Sequence, residues 1–120
     1  MLVRRGKPPR VGSWSLPGGA QRLGERAEDA ARRELREETG IEVGPLDLLA
    51  VVDGITRDER DAIRFHYTII DYCARWHSGE ARAGGDVIEV AWAGPEDLPR
   101  YELTEAALRV IAEARRRLSR

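Results

Sequence analysis

The chain has 120 residues, a length typical of one domain that buries its own core without disulfides or a structural metal. Hydrophobic residues make up 42% of it and charged residues 34%, and no apolar run approaches the roughly 18 residues of a membrane span, which excludes an integral membrane protein. The net charge of −1 provides no basic field for DNA or RNA, which excludes a polymeric nucleic acid as the partner.

The amino-terminal segment predicts a strand that runs into a loop. Residues 2–5 are apolar and then basic, and Gly-Lys-Pro-Pro at residues 6–9 ends the strand. No cleavage site of small residues follows the apolar stretch, as it would in a secretory signal, so we expect a cytoplasmic protein. Residues 14–16 alternate like a second strand, and Pro-Gly-Gly at residues 17–19 predicts a loop with special backbone angles.

Residues 26–39 predict the first helix. They contain neither Gly nor Pro, Ala and Glu dominate among them, and Gly40 stands where a helix C-cap is expected.

Three strands are expected after this helix. Residues 46–55 and 63–76 are rich in Val, Ile, Tyr and Phe, and the polar residues 56–61 between them predict a hairpin connection. Residues 87–92 alternate as a further strand, after glycine turns within residues 79–85.

The carboxyl-terminal part predicts helical structure that packs on the sheet. Residues 94–97 end the last strand, and a short helical turn is expected near Leu98. Thr104 is a candidate N-cap for a helix whose apolar residues recur at helical spacing, and Arg at residues 115–117 lies where the helix dipole favours positive charge. This order of elements describes one mixed, layered domain.

Small apolar and acidic side chains share one face of the first helix. At about 100° per residue, one arc about 120° wide holds six of them. They are Ala27, Ala30, Ala31, Glu34, Glu37 and Glu38. Clustered carboxylates repel one another, so this face is either a solvated Glu/Arg surface or a site for a cation. Hard oxygen ligands of this kind suit Mg²⁺ or Mn²⁺, and Arg33 is one turn from Glu37 and able to pair with it.

The spacing of residues around this helix decides between the two interpretations. Five residues separate Gly19 from Glu25, seven separate Glu25 from Arg33, and residues 33–41 are Arg-Glu-Leu-Arg-Glu-Glu-Thr-Gly-Ile. This pattern resembles the Nudix box without a departure. Nine constrained positions coincide by chance on the order of once in a million sequences, so the pattern favours the cation site.

The resemblance covers nearly the whole chain, since residues 2–5, 14–19, 90–92 and Leu98 are also similar to the Nudix framework. It implies a single α+β domain over residues 1–120, an α/β/α sandwich around a mixed β-sheet in which the box forms the catalytic loop-helix-loop. Most Nudix domains have one more strand before residues 2–5. Either the start codon lies farther upstream, or an exposed sheet edge is covered by a partner chain, which makes a homodimer one expectation.

The resemblance also implies roles for individual residues. The implied metal ligands are Gly18 through its carbonyl, Glu34, Glu37, Glu38 and, from a later loop or strand, Glu89. The implied catalytic residues are Glu34, Glu37, Glu38 and Arg33. The residues implied to support the box are Gly19, Glu25 and Gly40. Among these, Glu38 is the principal ligand, Glu34 is a ligand or the general base, and Asp86 is the alternative to Glu89.

The implied reaction is Mg²⁺-dependent hydrolysis of a pyrophosphate bond in a small nucleotide, with Mn²⁺ as a substitute. Metal ions would neutralise the pyrophosphate oxygens, lower the pKa of a bound water and stabilise the leaving oxygen. The general base is either Glu34 or a later acidic residue.

The substrate expectation rests on residues 66–72 and 76–86, which resemble small bacterial ADP-ribose pyrophosphatases. This resemblance implies cleavage of ADP-ribose to AMP and ribose 5-phosphate. A different ADP-ribose-cleaving subgroup carries a proline where this chain has Thr56 and Arg57, so the sequence argues against membership of that subgroup. The substrate contacts that we expect are Trp14, Arg5, His66, Tyr67 and Asp86.

Two other functions stay open. One is a house-cleaning pyrophosphatase for dNTPs or oxidised dNTPs, which releases a nucleoside monophosphate and pyrophosphate. The other is a catalytically silent, nucleotide-sensing module. Such modules have commonly lost box carboxylates, all of which this chain keeps.

Overall fold

The computed structural model describes residues 1–119 and shows strands combined with two α-helices and one 3₁₀ helix, which confirms the α+β class. In chain order the elements are β1 (Leu2–Arg5), β2 (Trp14–Ser15), α1 (Ala27–Thr39), β3 (Glu42–Val43), β4 (Asp47–Arg57), β5 (Ile63–Cys73), β6 (Trp76–Ser78), β7 (Val87–Ala91), a 3₁₀ helix (Pro95–Tyr101) and α2 (Glu105–Leu118). No helix within residues 1–119 is long and apolar enough to cross a membrane.

Strand β1 is the centre of a three-stranded sheet with the order β2-β1-β7. Both neighbours run antiparallel to it, and its Leu2 and Val3 are only 2% and 3% exposed. The expected edge left open by a missing strand before residues 2–5 is not an edge of β1, because β1 has a hydrogen-bonded strand along each of its edges. The homodimer stays a prediction.

Strands β4 and β5 form a long antiparallel hairpin. Strand β4 extends two residues beyond its predicted end, because Thr56 and Arg57 pair with Phe65 and Ile63. Strand β5 ends at Cys73, short of its predicted end, and the chain resumes as the separate β6.

The sequence did not predict β3, the partner of β6. The two strands pair at Glu42 with Ser78 and at Val43 with Trp76. Every strand pair within residues 1–119 is antiparallel, and the pairs form three separate sheets, a finer division than the single mixed sheet that the resemblance implies.

Local signals set the ends of both helices. Helix α1 ends at Gly40, which adopts the left-handed region at φ 73° and donates its N–H to the Arg36 carbonyl. Helix α2 begins after Thr104, whose Oγ1 accepts the N–H of Ala107 at 3.1 Å. The predictions of these two helices and of their caps are confirmed, and the short helical turn near Leu98 is the 3₁₀ helix.

The fully buried apolar core is small. It consists of Leu2, Val3, Ala30, Ile41 and Cys73. Burial raises the pKa of the Cys73 thiol, so this side chain is a neutral packing group rather than a nucleophile. These residues come from β1, from the first half of α1, from the position after its C-cap and from the end of β5, so the core includes the helix that carries the clustered carboxylates.

Candidate active site

Arg33 is the centre of the polar network on α1. Its Nε and Nη2 donate to the two carboxylate oxygens of Glu25 at 2.7 and 3.0 Å, and Nη1 donates to Glu34 Oε1 at 2.8 Å. Nη2 also donates to the Ala20 carbonyl at 2.9 Å. The hydrogen bonds from Arg33 lower the pKa of Glu25 to about 2, and the same bonds raise the pKa of Arg33. One guanidinium therefore ties the loop before α1 to the helix and orients Glu34.

Glu37 is the outer member of the predicted carboxylate set. Its side chain is 47% exposed, and its carboxylate lies 3.3 Å from Arg33 Nη1 and 3.6 Å from Arg22 Nη2. The predicted pairing of Arg33 with Glu37 is confirmed.

Glu38 is the inner member and is only 8% exposed. The Gly18 N–H donates to its two oxygens at 3.3 and 3.4 Å, and the Glu34 carboxylate lies beside it. Burial raises the pKa of Glu38 to about 7, Gly18 opposes this shift, and Glu34 adds to it. Among residues 1–119, no Arg, Lys or His forms an ion pair with Glu38.

Gly19 leaves room for the Glu34 carboxylate, which lies directly against it. A Cβ built at Gly19 would stand 2.5 Å from the carboxyl carbon of Glu34. Any larger residue would push that carboxylate out of position, which explains how Gly19 supports the box.

The loop of residues 79–85 holds the carboxyl-terminal end of α1. Its Arg82 N–H donates to the Thr39 carbonyl at 3.0 Å, and its Gly84 N–H donates to the Glu38 carbonyl at 3.1 Å. A Cβ at Gly84 would collide with the Glu37 carbonyl, so the loop approaches the helix as closely as backbone allows. From the sequence the glycines of this loop predicted only turns, whereas the loop, through the N–H groups of Arg82 and Gly84, satisfies two carbonyls at the end of the helix.

Basic side chains from β1 and the loop after it lie beside the carboxylates. Arg5 donates from Nε to the Pro9 carbonyl at 2.6 Å, and its charge acts on Glu38. Lys7 Nζ pairs with Asp86 at 2.8 Å, and its charge interacts with Glu34. Arg5 and Asp86 were expected to contact substrate, whereas Lys7 was missed. It is the single lysine of the chain, but nothing in its local sequence indicates that it meets Asp86 and Glu34.

Four other predicted site residues have different neighbours. Glu89 pairs with Arg4 at 3.0 Å, His66 lies 3.4 Å from Asp53, Tyr67 stacks on Phe65 with a centroid distance of 6.0 Å, and Trp14 meets Tyr101 edge to face at 4.9 Å. In the described part of the chain, no hydrogen bond or ion pair joins any of the four to Glu34 or Glu38. Their roles stay predictions.

The donors around Glu38 fit a divalent cation that prefers oxygen. Two carboxylates lie side by side in a partly buried position, without a basic side chain bonded to the inner one. Only hard oxygen ligands are present, which suits Mg²⁺ and Mn²⁺. Over residues 1–119, no three His, Cys, Asp or Glu side chains already form a metal-binding group, since Glu37 turns toward Arg33 and Arg22.

In a comparison with known protein families, residues 1–114 match the NUDIX domain. An ADP-ribose pyrophosphatase of Methanocaldococcus jannaschii is 34% identical over 100 residues, which are 83% of this chain and 57% of that protein. The nucleoside triphosphatase NudI of Escherichia coli is 32% identical over 107 residues, which are 83% of this chain and 74% of NudI. The chain thus spans little more than half the length of the first of these relatives.

Among solved structures, the NUDIX domain of Shewanella oneidensis NrtR, in complex with ADP ribose, superposes with a TM-score of 0.79 at 28% identity. The similarity covers 98% of this chain and 75% of that one.

Proposed function

The chain belongs to the NUDIX family, and on that premise we propose that it hydrolyses the pyrophosphate bond of a nucleoside diphosphate linked to another group, with Mg²⁺ as cofactor. The observation that carries this proposal is the pair of a buried Glu38 and a half-buried Glu34, oriented by the Gly18 N–H and by Arg33. A silent sensing module does not need such a pair, so its presence favours catalysis.

In this proposal Glu38 is the principal metal ligand, Glu34 lies beside it, and Glu37 joins them when a cation competes with Arg33 and Arg22. Bound Mg²⁺ would neutralise the pyrophosphate oxygens and lower the pKa of a bound water. The oxygen donors suit both Mg²⁺ and Mn²⁺, and Mg²⁺ is our choice because it is commonly bound by one or two carboxylates together with substrate phosphates.

Other side chains of the site orient the carboxylates, accept a proton and supply positive charge. Arg33 fixes the orientation of the Glu34 carboxylate through a 2.8 Å bond and is itself braced by Glu25. We assign the general base to Glu34, since it lies next to Glu38, whereas no hydrogen bond or ion pair in the described part of the chain joins Glu89 to either of them. Arg5 and Lys7 supply positive charge beside the carboxylates, where a diphosphate would lie.

ADP-ribose is the substrate that we favour. The M. jannaschii relative is named an ADP-ribose pyrophosphatase, and the NrtR domain was solved with ADP ribose. Trp14, held edge to face by Tyr101, offers an aromatic surface for adenine. The competing candidate is a nucleoside triphosphate, because NudI carries that name.

A substrate panel tests this choice. We expect a higher kcat/KM for ADP-ribose than for NADH, diadenosine polyphosphates, dGTP or 8-oxo-dGTP under one set of conditions, with AMP and ribose 5-phosphate as products. Release of pyrophosphate from a preferred triphosphate would overturn the ADP-ribose assignment and leave the pyrophosphohydrolase assignment in place. Absence of hydrolysis across the whole panel with Mg²⁺ would contradict both.

We also expect Mg²⁺ to raise the melting temperature by several degrees over EDTA, because a cation that binds only the folded state relieves the repulsion between Glu34 and Glu38. Scanning calorimetry at constant ionic strength measures the shift. Glu38→Gln should lose most of it. Glu28→Gln, which changes an exposed carboxylate in the first turn of the same helix, should keep it. An equal shift in both variants would place the bound metal elsewhere.

A further inference from the structure

The two basic side chains beside the carboxylates are held in different ways. Arg5 is directed at the backbone of its own loop, with Nε 2.6 Å from the Pro9 carbonyl and Nη2 3.4 Å from the Pro8 carbonyl. Lys7 Nζ lies 2.8 Å from Asp86 Oδ2, and the described part of the chain offers it no second hydrogen bond or ion pair. An ammonium has three N–H donors, so Lys7 keeps two of them for a ligand.

The backbone positions of Lys7 and Asp86 are fixed with respect to the carboxylate helix. Next to Lys7, the Gly6 N–H donates to the Asp86 carbonyl at 2.8 Å, and a Cβ at Gly6 would stand only 2.6 Å from that oxygen. On the other side, the Val87 N–H donates to the Gly84 carbonyl at 3.1 Å, and the Gly84 N–H donates to the Glu38 carbonyl. The two side chains can therefore change partners while the loops that carry them stay in place.

The contact between Lys7 and Asp86 is of the kind that a ligand breaks readily. The two side chains are 63% and 66% exposed, and ion pairs in water contribute little to stability. A diphosphate carries more negative charge than one carboxylate and accepts strong, charge-assisted hydrogen bonds. The hydrogen bond to Asp86 raises the pKa of Lys7 and the charge of Glu34 adds to this, so the ammonium lies near the carboxylates and stays protonated.

We propose that Lys7 binds the diphosphate of the substrate and that Asp86 is its partner in the free enzyme, so that the ammonium moves from Asp86 to a phosphate oxygen when substrate binds. This inference rests on the proposed function, which sets the diphosphate beside Glu34 and Glu38. Asp86 then acts through Lys7 and competes with the substrate, whereas the sequence predicted that Asp86 contacts the substrate itself.

Calorimetric titration with α,β-methylene-ADP, a diphosphate with a non-hydrolysable bridge, tests the exchange in the presence of Mg²⁺. We expect Lys7→Gln to raise Kd by about tenfold, because a charge-assisted hydrogen bond is lost. Asp86→Asn should lower Kd by about twofold to fivefold, because Lys7 no longer has to leave a partner. If Lys7→Gln binds like the wild type, or if Asp86→Asn binds more weakly, the proposal is wrong.

The double variant separates competition for Lys7 from simple repulsion between Asp86 and the phosphates. When Lys7 is already Gln, the added Asp86→Asn change should have little effect on Kd. An equal gain with and without Lys7 would show repulsion alone and overturn the exchange. The matched control is Glu80→Gln, which removes an exposed carboxylate from the loop of residues 79–85 and should leave Kd unchanged.

Chemical labelling gives a measurement on the wild type, independent of how well the variants fold. Lys7 is the single lysine of the chain, so its acylation by an N-hydroxysuccinimide ester can be followed on one peptide by mass spectrometry. We expect α,β-methylene-ADP with Mg²⁺ to slow this acylation several-fold, and an unchanged rate would overturn the proposal.

Failure of this inference and failure of the proposed function are distinguishable. Hydrolysis of a substrate in the panel, together with unchanged binding by Lys7→Gln, would refute the exchange and leave the proposed function in place. Binding of α,β-methylene-ADP that depends on Lys7, without hydrolysis of any substrate, would do the reverse.

Discussion

Replacement of Glu38 by Gln should lower kcat by at least about a hundredfold, because one anionic ligand is lost from a metal-assisted reaction. Gln keeps the shape of Glu and can still accept the Gly18 N–H. Since burial disfavours the charge of Glu38 and raises its pKa to about 7, the neutral variant should melt no lower than the wild type in EDTA at pH 8. Steady-state kinetics at saturating Mg²⁺, with calorimetry beside it, measures both.

Glu28→Gln is the matched control for this variant. It removes an exposed carboxylate from the same helix, outside the network of Arg33, and should leave kcat unchanged. Near-wild-type turnover of Glu38→Gln would show that Glu38 is not the principal ligand.

Replacement of Arg33 by Ala should lower kcat/KM by about tenfold or more and the melting temperature by several degrees. The variant leaves Glu25, Glu34 and the Ala20 carbonyl without their common donor, so the loop before α1 and the Glu34 carboxylate both lose their fixed positions. Arg33→Lys keeps the charge, but an ammonium cannot make the fork of bonds, so we expect an intermediate loss. Arg36→Ala, which breaks only the exposed pair with Glu42, should have little effect.

The pH dependence of stability gives a second measure of Arg33. The pKa of Glu25 is about 2 in the folded chain, below its ordinary value of 4.5, so its contribution is complete above pH 4.5 and disappears as the pH falls toward 2. Arg33→Ala should therefore lose less stability than the wild type over that interval. If the melting temperatures of the wild type and of Arg33→Ala fall by the same amount from pH 5 to pH 2, the pKa shift of Glu25 is not caused by Arg33.

The sequence predicted the elements that local chemistry determines. Helix α1 has an uninterrupted helical composition and a glycine at its end, and it lies within one residue of its expected bounds. Helix α2 begins directly after its expected cap, Thr104. The box carboxylates follow directly from α1, since residues three and four apart share a face of any helix.

Local sequence patterns did not predict the contacts between segments that are distant in the chain. Strands β3 and β6 have two and three residues, too few for a periodic pattern, and they form only because the chain returns to pair with itself. The interaction of Lys7 with Asp86 likewise depends on β1 and β7 being neighbours. The different environments of Glu37 and Glu38 depend on the loop of residues 17–25, whose path the sequence does not reveal.

The tip of the β4–β5 hairpin and the loop of residues 79–85 differ in how freely their lengths can change in evolution. The hairpin tip is closed by its own bonds, from the Asp58 N–H to the Ala62 carbonyl and from the N–H groups of Arg60 and Ala62 to Asp58 Oδ1. Insertions there would lengthen an exposed turn and leave everything else in place. The loop of residues 79–85 has no such freedom, because its backbone is bonded to Thr39 and Glu38. An added residue would shift the end of α1, so homologues with new substrate preferences should vary in length at the tip and stay constant in the loop.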